Sequence, residues 1–418
     1  MSEPSSIFEP VPERRGTNCY KWDRRPENAR GEPLLPMWVA DMDFACPPAV
    51  REALDSRIAH PVYGYTFEPA GHRRAFREWQ RERNGWEIKE EWLVQAPAVM
   101  PAVRAAILAL TEPGDGVIIQ PPVYYPFFDA VRDNGRELVL NPLAEEAGAD
   151  ATAPYGVRYS MDLDHLESVI GPRTRMVLLC SPHNPTGRVW SMAELAALAE
   201  ICLRHDLIVV SDEIHCDLRR AGTPFTPFAA LGPEAAARTV ACHSASKTFN
   251  VAGIATAHIV VPSDELRTRF SSTLARLGMT LPNILAMEAS HAAYGASASW
   301  LDLLVGYLDE QISWLASEID SRFGSDGAVT MSPIEGTYLA WLDLRALLER
   351  TGKTHRDAER ALLEEAALWL SDGRQFGENG EGFFRMNLAT SRSNLADGVS
   401  RLEKAVRFLE ASASVAGR

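Results

Sequence analysis

Short apolar runs alternate with amphipathic stretches up to about residue 265. Five such runs are typical of strands buried on both faces of a sheet, and they cover residues 117–119, 176–179, 207–210, 239–241 and 258–261. The apolar spacing between them predicts amphipathic helices over residues 98–110, 124–134, 162–170 and 191–205. The last of these opens with Ser191 and Glu194, a capping-box pair. The alternation predicts an α/β fold with a mostly parallel sheet.

The pattern changes after about residue 265. Longer helical periodicity and isolated strand signals follow, which predict helices over 282–323, near 355–370 and from about 393 to 411, and a strand over 337–342. This mixture is typical of a smaller α+β domain. We therefore expect three parts: an N-terminal arm over residues 1–45 that joins the small domain, a large domain over 46–295, and a C-terminal small domain over 296–418.

Composition excludes several classes of protein. The chain has 418 residues, 46% of them hydrophobic and 23% charged, and no run of about 18 apolar residues, so a membrane span is excluded. The first 30 residues lack the apolar stretch of a signal peptide, which favours a cytoplasmic location. The net charge of −14 comes without a basic block, which argues against a nucleic-acid partner.

The cysteines and lysines narrow the chemistry. The six cysteines show neither C-x-x-C nor Cys/His ligand spacing, so we expect no metal site and no disulfide framework. Only five of the 42 basic residues are lysines. Because a guanidinium cannot act as a proton-shuttling nucleophile, each lysine of this arginine-rich chain is a candidate for amine chemistry.

Lys247 is the first candidate. It ends the segment S-A-S-K, which begins at Ser244 directly after a predicted strand. Small hydroxyl residues just before a lysine at a strand end fit a Schiff-base lysine beside a phosphate site. On its own, the same segment also fits a solvent-exposed lysine on a polar loop.

Two further polar residues follow predicted buried strands. Asp212 lies at the end of one of them. A buried carboxylate requires a cationic partner such as a pyridinium. Alternatively, Asp212 is the N-cap of a helix. Asn184 lies in S-P-H-N-P-T-G, where two prolines and a glycine fix a turn that presents the amide to a ligand, or simply form a turn. With Lys247, these residues lie where α/β sheets bind ligands.

Taken in order, N-P-T-G, S-D-E-I-H and S-A-S-K-T-F-N resemble the pyridoxal 5'-phosphate (PLP) enzymes of aminotransferase fold type I. The S-D-E-I-H variant, the segment 35–44 and W-L-D at 300–302 are similar to the MalY/PatB-type cystathionine β-lyases. The match extends from about residue 34 to residue 402. It implies a PLP-dependent transferase fold with a large cofactor-binding domain and a smaller one.

The resemblance implies a role for each residue around the cofactor ring. Lys247 would form the Schiff base and then act as the base at the substrate Cα. Asp212 would pair with the pyridinium, while Asn184 and His215 would face the 3-oxygen of the ring. Tyr124 would stack on the ring, unless it is a buried core tyrosine. Lys247, Asp212 and Tyr124 are thus the predicted catalytic residues.

Other residues would hold the phosphate. The resemblance implies contacts from Ser244 and Ser246, and from backbone N–H groups at a helix start near Ala98 and Val99, since helix N-termini attract anions. Tyr65 resembles a tyrosine that reaches the phosphate from the neighbouring subunit, which predicts a homodimer with shared active sites. Alternatively, Tyr65 is an aromatic residue on the surface of a strand.

Arg385 in F-R-M-N matches the arginine whose planar fork binds the α-carboxylate of an amino-acid substrate, with Asn184 and Tyr65 as further substrate contacts. Two positions depart from the usual pattern. Ala255 stands where many aminotransferases have an arginine near the phosphate, and T-S-R-S replaces C-P-R-S, which leaves the role of Arg392 open.

The resemblance implies a C–S β-lyase that converts cystathionine or a related cysteine S-conjugate to a thiol, pyruvate and ammonia. An aminotransferase would use the same residues and require an oxo-acid acceptor. A third alternative is a specialised enzyme that acts on an S-cysteinyl conjugate by elimination or by decarboxylation with oxidative deamination. A PLP-sensing regulatory protein would require a DNA-binding extension, and the arm offers none.

Overall fold

The computed structural model describes residues 5–25, 27–147 and 154–416. Its fifteen described strands, β1 to β15, are Leu35–Pro36, Leu93–Ala96, Gly116–Ile119, Glu137–Leu140, Ala144–Ala147, Val157–Ser160, Thr174–Cys180, Ile208–Asp212, Thr239–His243, Ala257–Val260, Thr330–Met331, Leu339–Asp343, Leu368–Trp369, Ser371–Asp372 and Phe383–Asn387. Seven of them form one sheet in the order β2-β10-β9-β8-β7-β3-β4. Within it, β10 is antiparallel to both of its neighbours and all the other pairs are parallel.

Helices cover both faces of this sheet. The sixteen described α-helices, α1 to α16, are Ser5–Phe8, Tyr20–Asp23, Pro48–Ala59, His72–Asn84, Val99–Leu110, Pro126–Arg132, Leu163–Val169, Met192–Arg204, Pro233–Ala236, Ala245–Thr248, Asp264–Arg276, Ile284–Ala296, Ala298–Phe323, Arg345–Thr351, His355–Arg360 and Arg392–Ala416. The capping box predicted at Ser191 and Glu194 is confirmed at the start of α8. In the described part of the chain, no helix has the length and hydropathy needed to cross a bilayer.

The central strands are buried on both faces, as their apolar pattern predicts. Successive side chains point to opposite faces, so β8 contributes Val210 to the cluster around α5 and Val209 to a separate cluster with α8. Because β7, β8 and β9 are parallel, their carboxyl ends lie at one edge of the sheet. This α/β architecture confirms the predicted fold class.

The C-terminal region has a sheet of its own, with the antiparallel order β11-β12-β15-β14. The arm reaches this region, because β1 pairs in parallel with β13. The contact supports the expected joining of arm and small domain, while the boundaries at residues 45 and 295 stay predictions.

Two predicted helices differ from the structure. The periodicity over 282–323 corresponds to α12 and α13, which are separated at Ser297. The helix predicted near 355–370 is wrong beyond Glu365, because a π-helical turn, Ala361–Glu365, leads to Ala367 with φ 51° and then to β13. The backbone N–H of Leu35 donates to the Ala367 carbonyl at 2.9 Å, so pairing with the distant arm overrides local helical periodicity.

Candidate active site

A cavity of about 360 Å³ lies at the carboxyl ends of β7, β8 and β9. Ten of the eleven predicted site residues line it, namely Ala98, Val99, Tyr124, Asn184, Asp212, His215, Ser244, Ser246, Lys247 and Arg385. Tyr65 does not line it. The structure therefore brings together residues that are up to 287 positions apart in the sequence.

Asn184 is held by the turn that follows β7. The N–H of His183 donates to the Arg188 carbonyl at 2.7 Å, and the N–H of Gly187 donates to the His183 carbonyl at 2.9 Å. Gly187 has φ +74°, and a Cβ there would lie 3.2 Å from the Cα of Ile334, so both backbone conformation and packing require glycine. The rigid turn presents the Asn184 amide to the cavity.

Asp212 is a buried carboxylate whose charge is not compensated. It is the last residue of β8, and its Oδ1 accepts from the N–H of Ile214 at 3.2 Å. No basic side chain among the described residues lies within ion-pair distance of it, and desolvation raises the pKa of Asp212 to about 7. No helix begins there, so the N-cap alternative is wrong. The site fits a ligand that supplies a cation to Asp212.

Lys247 projects from α10 into the cavity. The Ser244 side chain caps this short helix by accepting from the N–H of Ser246 at 3.1 Å. The Lys247 amine donates to the Ala40 carbonyl. Desolvation, with repulsion from Arg385, lowers the pKa of Lys247 to about 8. The alternative of an exposed loop lysine is therefore wrong, and a minor fraction of the amine is neutral at pH 7.

Arg385 is a buried cation with neutral partners. It is 3% exposed, and its guanidinium donates to the Asn184 Oδ1 at 2.9 Å, the Trp38 carbonyl at 2.7 Å and the Ser371 Oγ at 3.1 Å. Its Nε has no partner, and no carboxylate of the described chain pairs with it. Desolvation lowers the pKa of Arg385 to about 10. A buried guanidinium of this kind fits an anionic ligand group.

The N-terminus of α5, which lines the cavity, suits a phosphate. Ala98 is the N-cap of α5 and provides no side-chain cap, so the first N–H groups of this twelve-residue helix are left for a ligand. Ser246 lines the same cavity. The Ser244 hydroxyl donates to the Thr256 carbonyl at 2.7 Å, so its hydrogen is used within the chain, and its phosphate contact stays a prediction.

His215 and Tyr124 also line the cavity. Desolvation lowers the pKa of His215 to about 3, which makes its imidazole neutral, and its buried Nδ1 has no partner within the described residues. Burial raises the pKa of Tyr124 well above its usual range, so its hydroxyl stays protonated. Both side chains are thus uncharged groups beside the position expected for the cofactor ring.

Tyr65 lies outside this cavity and is 95% exposed. Its surroundings are also apolar and exposed, since Val62, Tyr63 and Phe67 are 61%, 57% and 85% exposed. Within one chain, Tyr65 is a surface aromatic residue. Its predicted role requires a second chain.

Pocket-lining side chains were expected from the arm, but no individual arm residue was predicted at this site. Trp38 and Tyr20 line the cavity, and the Asn387 Nδ2 donates to the carbonyls of Val39 and Asp41 at 2.6 Å each. Together with the contact from Arg385 to Trp38, this shows that the R-M-N segment holds the arm against the cavity. The 35–44 segment was the available signal, but it served only to support the resemblance.

The unpaired groups of the cavity fit PLP. Asp212 lacks a cation, which a pyridinium provides, and the α5 N-terminus lacks an anion, which a phosphate provides. Lys247 supplies an amine of lowered pKa for an aldehyde carbon. Arg385 remains for the carboxylate of an amino acid.

Known proteins are similar to this chain over nearly its whole length. The profile of the family described as aminotransferase class I and II matches residues 35–402. Cystathionine beta-lyase PatB of Bacillus subtilis is 38% identical over 96% of this chain and 99% of its own, and protein MalY of Escherichia coli is 34% identical over 96% and 98%. Cystalysin from Treponema denticola, whose crystal structure contains a pyridoxal 5'-phosphate cofactor, superposes with a TM-score of 0.88 at 32% identity, over 96% of this chain and 99% of its own. The chain therefore belongs to the aminotransferase class I and II family, in its MalY/PatB-type branch of PLP-dependent enzymes of fold type I.

Proposed function

We propose that this protein is a PLP-dependent C–S β-lyase. Its substrate would be cystathionine or a related cysteine S-conjugate, and its products a thiol, pyruvate and ammonia. One observation carries the proposal: Lys247, the uncompensated Asp212 and the carboxylate-free Arg385 line one cavity, which suits PLP and an amino acid together. The 38% identity to a protein named cystathionine beta-lyase supports lyase chemistry over the other reactions of the family.

Different residues act in successive steps of the elimination. Arg385 binds the substrate α-carboxylate through its planar fork and so fixes the orientation of Cα. Bound PLP supplies the electron sink that makes the Cα proton acidic and allows a β-substituent to depart. Lys247 takes that proton at its amine, since its lowered pKa leaves part of the population neutral. The sulfur leaves as a thiolate, and hydrolysis of the remaining fragment gives pyruvate and ammonia.

Two rival reactions use the same residues. An aminotransferase would return the proton to the cofactor and would require an oxo acid in each cycle. A decarboxylating enzyme acting on an S-cysteinyl conjugate would release carbon dioxide. Ala255 lines the cavity where many aminotransferases have an arginine, and this departure favours the lyase.

Product analysis separates the three reactions. The purified protein, loaded with PLP, is incubated with a panel of S-substituted cysteines while thiol, pyruvate and carbon dioxide are measured with and without an added oxo acid. A lyase releases thiol and pyruvate in equal amounts without the oxo acid. Thiol release that depends on an oxo acid, or no thiol release across the panel, contradicts the lyase function.

We further propose a homodimer in which Tyr65 completes the site of the partner subunit. The exposed segment formed by Val62, Tyr63, Tyr65 and Phe67 supports this, because four apolar side chains within six residues are costly to leave in water. Tyr65 would donate to the phosphate through its hydroxyl. Tyr65→Phe would then weaken PLP binding by about 1–2 kcal/mol, the scale of a hydrogen bond to a charged group.

Mixed dimers test the sharing directly. Lys247→Ala and Tyr65→Phe chains are co-expressed with different tags, and the dimer that carries both tags is isolated. If Tyr65 acts across the interface, the one site that keeps Lys247 has an intact Tyr65 and binds PLP with wild-type affinity. Weak binding there, or a fully active monomer, contradicts sharing. Tyr63→Phe is the matched control, since the Tyr63 hydroxyl donates to the Ile58 carbonyl of its own chain at 2.8 Å.

The cytoplasmic location expected from the sequence stays a prediction.

A further inference from the structure

Aromatic rings border the entrance of the cavity. Tyr20, Trp38 and Tyr125, named here the aromatic mouth, line the same cavity as Lys247 and Arg385. Tyr20 and Tyr125 are 60% and 39% exposed, so they lie toward solvent rather than toward the buried floor at Asp212. A side chain that extends from the substrate Cα toward solvent therefore passes these rings.

The Trp38 ring is fixed in place. It stacks on Trp369 with a centroid distance of 4.3 Å and an interplanar angle of 16°, and Tyr20 packs on it at 5.2 Å. Its indole N–H donates to the Lys21 carbonyl at 3.3 Å. The Trp38 carbonyl accepts from Arg385 at 2.7 Å, so the ring belongs to a residue that also positions the carboxylate-binding side chain. Trp369 covers one face of the ring, and Tyr20 and Arg24 also pack on it, so the rigid ring edge offers an aromatic contact to a substrate at little entropic cost.

The described lining of the cavity offers no further charged side chain to the group on the substrate sulfur. Among its described lining residues, the formally charged side chains are Lys247, Arg385 and Asp212, and each already has a partner or a role in the proposed reaction. A distal ammonium and carboxylate, such as those of cystathionine, would therefore meet aromatic rings and the neutral side chains of Gln375 and Ser371. Bringing a charged group there without a partner is costly.

Arg24 is a cation that contacts the aromatic mouth but does not line the cavity. Its guanidinium covers the Tyr20 ring at 4.8 Å and the Trp38 ring at 5.5 Å, and it donates to the Tyr20 hydroxyl. Arg24 thus stabilises the positions of the Tyr20 and Trp38 rings.

We propose that the preferred substrate is a cysteine S-conjugate whose sulfur carries a flat, uncharged, aromatic group that packs against the aromatic mouth. This inference rests on the proposed lyase function. The step is the same β-elimination: the Cβ–S bond breaks, the sulfur leaves with the electron pair as a thiolate, and Lys247 holds the proton from Cα. Only the group attached to the substrate sulfur is specified in addition.

The test compares three substrates whose leaving groups are all alkyl thiols. These are S-benzyl-L-cysteine, S-(cyclohexylmethyl)-L-cysteine and L-cystathionine. Because the benzyl thiolate is the more stable leaving group, the calorimetric measurement below separates aromatic packing from leaving-group ability. We expect kcat/KM for the benzyl conjugate to exceed that of the cyclohexylmethyl conjugate about tenfold, the scale of an aromatic contact beyond its area burial, and to exceed that of cystathionine by more. Equal or higher kcat/KM for cystathionine overturns the inference, while no thiol release from any of the three contradicts the lyase function itself.

Two variants and a binding measurement assign the preference to the aromatic mouth. Trp38→Leu and the more exposed Tyr20→Leu should each reduce the benzyl over cyclohexylmethyl preference, whereas Trp314→Leu should not. Trp314 is a matched control because it is also half-buried with an arginine, Arg392, over its ring at 4.8 Å, and it does not line the cavity. In Lys247→Ala protein, calorimetry measures binding alone and should show the same order of the three conjugates. A preference that survives both mouth variants, or calorimetric affinities in the reverse order, overturns the inference.

Discussion

Asp212 and Glu213 are adjacent buried carboxylates with opposite surroundings. Desolvation raises the pKa of Asp212 to about 7 and that of Glu213 to about 8. Asp212 faces the cavity and lacks a cation, whereas Glu213 points to the other side of the strand, where its Oε1 accepts from the Ser211 hydroxyl at 2.8 Å and from the Phe228 N–H at 2.9 Å. The Glu213 N–H donates to the Cys242 carbonyl at 2.9 Å, so the extended backbone continues one residue past β8, and its alternation separates the two environments.

Glu213 belongs to a group of titratable side chains named here the sealed cluster: Glu213, His243, His258 and His72. Each is at most 1% exposed. The His243 Nε2 lies 3.3 Å from the Glu213 Oε2, and His258 stacks on Phe76 with a centroid distance of 4.3 Å. Desolvation lowers the pKa of His243 to about 3 and that of His258 well below its usual range, so both imidazoles are neutral.

The comparison shows that a shifted pKa does not by itself identify an active site. Burial shifts both carboxylates in the same direction, and the shift of Glu213 is no smaller than that of Asp212. What distinguishes Asp212 is its opening to a cavity that also contains Lys247 and the unpaired Arg385. We therefore expect substitutions in the cavity to change function and those in the sealed cluster to change stability.

Lys247 should show the largest effect. Lys247→Ala removes both the cofactor link and the base at Cα, so we expect thiol release to fall by at least about 10³-fold and the visible absorption of the lysine-bound cofactor to disappear. Lys247→Arg keeps the charge and should be as inactive. Borohydride reduction followed by peptide mapping should label Lys247, and a label on the buried Lys21 would refute the assignment.

Asp212 and Glu213 provide the direct contrast. Asp212→Asn leaves the bound pyridinium without its counter-charge, and we expect PLP affinity to fall by about 3–5 kcal/mol, as when one partner of a buried ion pair is removed. Glu213→Gln mimics the neutral form and should leave PLP affinity and thiol release at wild-type values. Titration of both cofactor-free variants with PLP measures the difference. Equal losses would remove the distinction drawn here.

Arg385 can be compared with a second buried arginine. Arg385→Ala should lower kcat/KM by an amount equivalent to about 2–4 kcal/mol of transition-state stabilisation, because the carboxylate contacts are lost. Arg385→Lys should lower it by less, and PLP should stay bound in both variants. Arg188 is 2% exposed but pairs with Glu194 and Glu335. Arg188→Lys should therefore lower the free energy of unfolding and leave kcat/KM unchanged. Loss of PLP from Arg385→Ala would argue against a substrate-binding role.

The last prediction concerns pH and the sealed cluster. The pKa of Glu213 is higher in the folded protein than in the unfolded chain, so the folded state binds an extra proton between about pH 4.5 and 8. This contribution to stability is complete below that window and is lost as the pH rises through it. Relative to Glu213→Gln, the wild type should lose at most about 1.4 kcal/mol of unfolding free energy per pH unit. Urea unfolding measures this, with exposed Glu310→Gln as control, and a pH-independent difference would contradict a neutral Glu213.

The central strands and their polar ends were predictable from local sequence. Apolar runs at 176–179, 207–210 and 239–241 correspond to β7, β8 and β9. The positions of Asn184, Asp212 and Lys247 follow from the ends of those strands, because parallel strands finish at one edge of a sheet. The roles of Arg385 and His215 came from resemblance, and the structure adds their burial and missing partners.

The arm residues could not be assigned in the same way. Trp38 and Tyr20 have no periodicity that directs them to the cavity. Their positions depend on the pairing of β1 with β13 and on the contacts of Arg385 and Asn387, more than 300 residues away.

By itself, the sequence determined the α/β class, the strand ends that carry the cofactor residues and the family, because these depend on short-range pattern and on motifs. Only the tertiary structure decided which buried charges lack partners, which rings form the aromatic mouth and where the helix after His355 ends. The physical reason is that burial and pairing depend on contacts between distant segments, as the Ala367 carbonyl and the Leu35 N–H show. A local pattern gives the side chain, and the assembled fold determines whether that side chain is satisfied within the chain or open to a ligand.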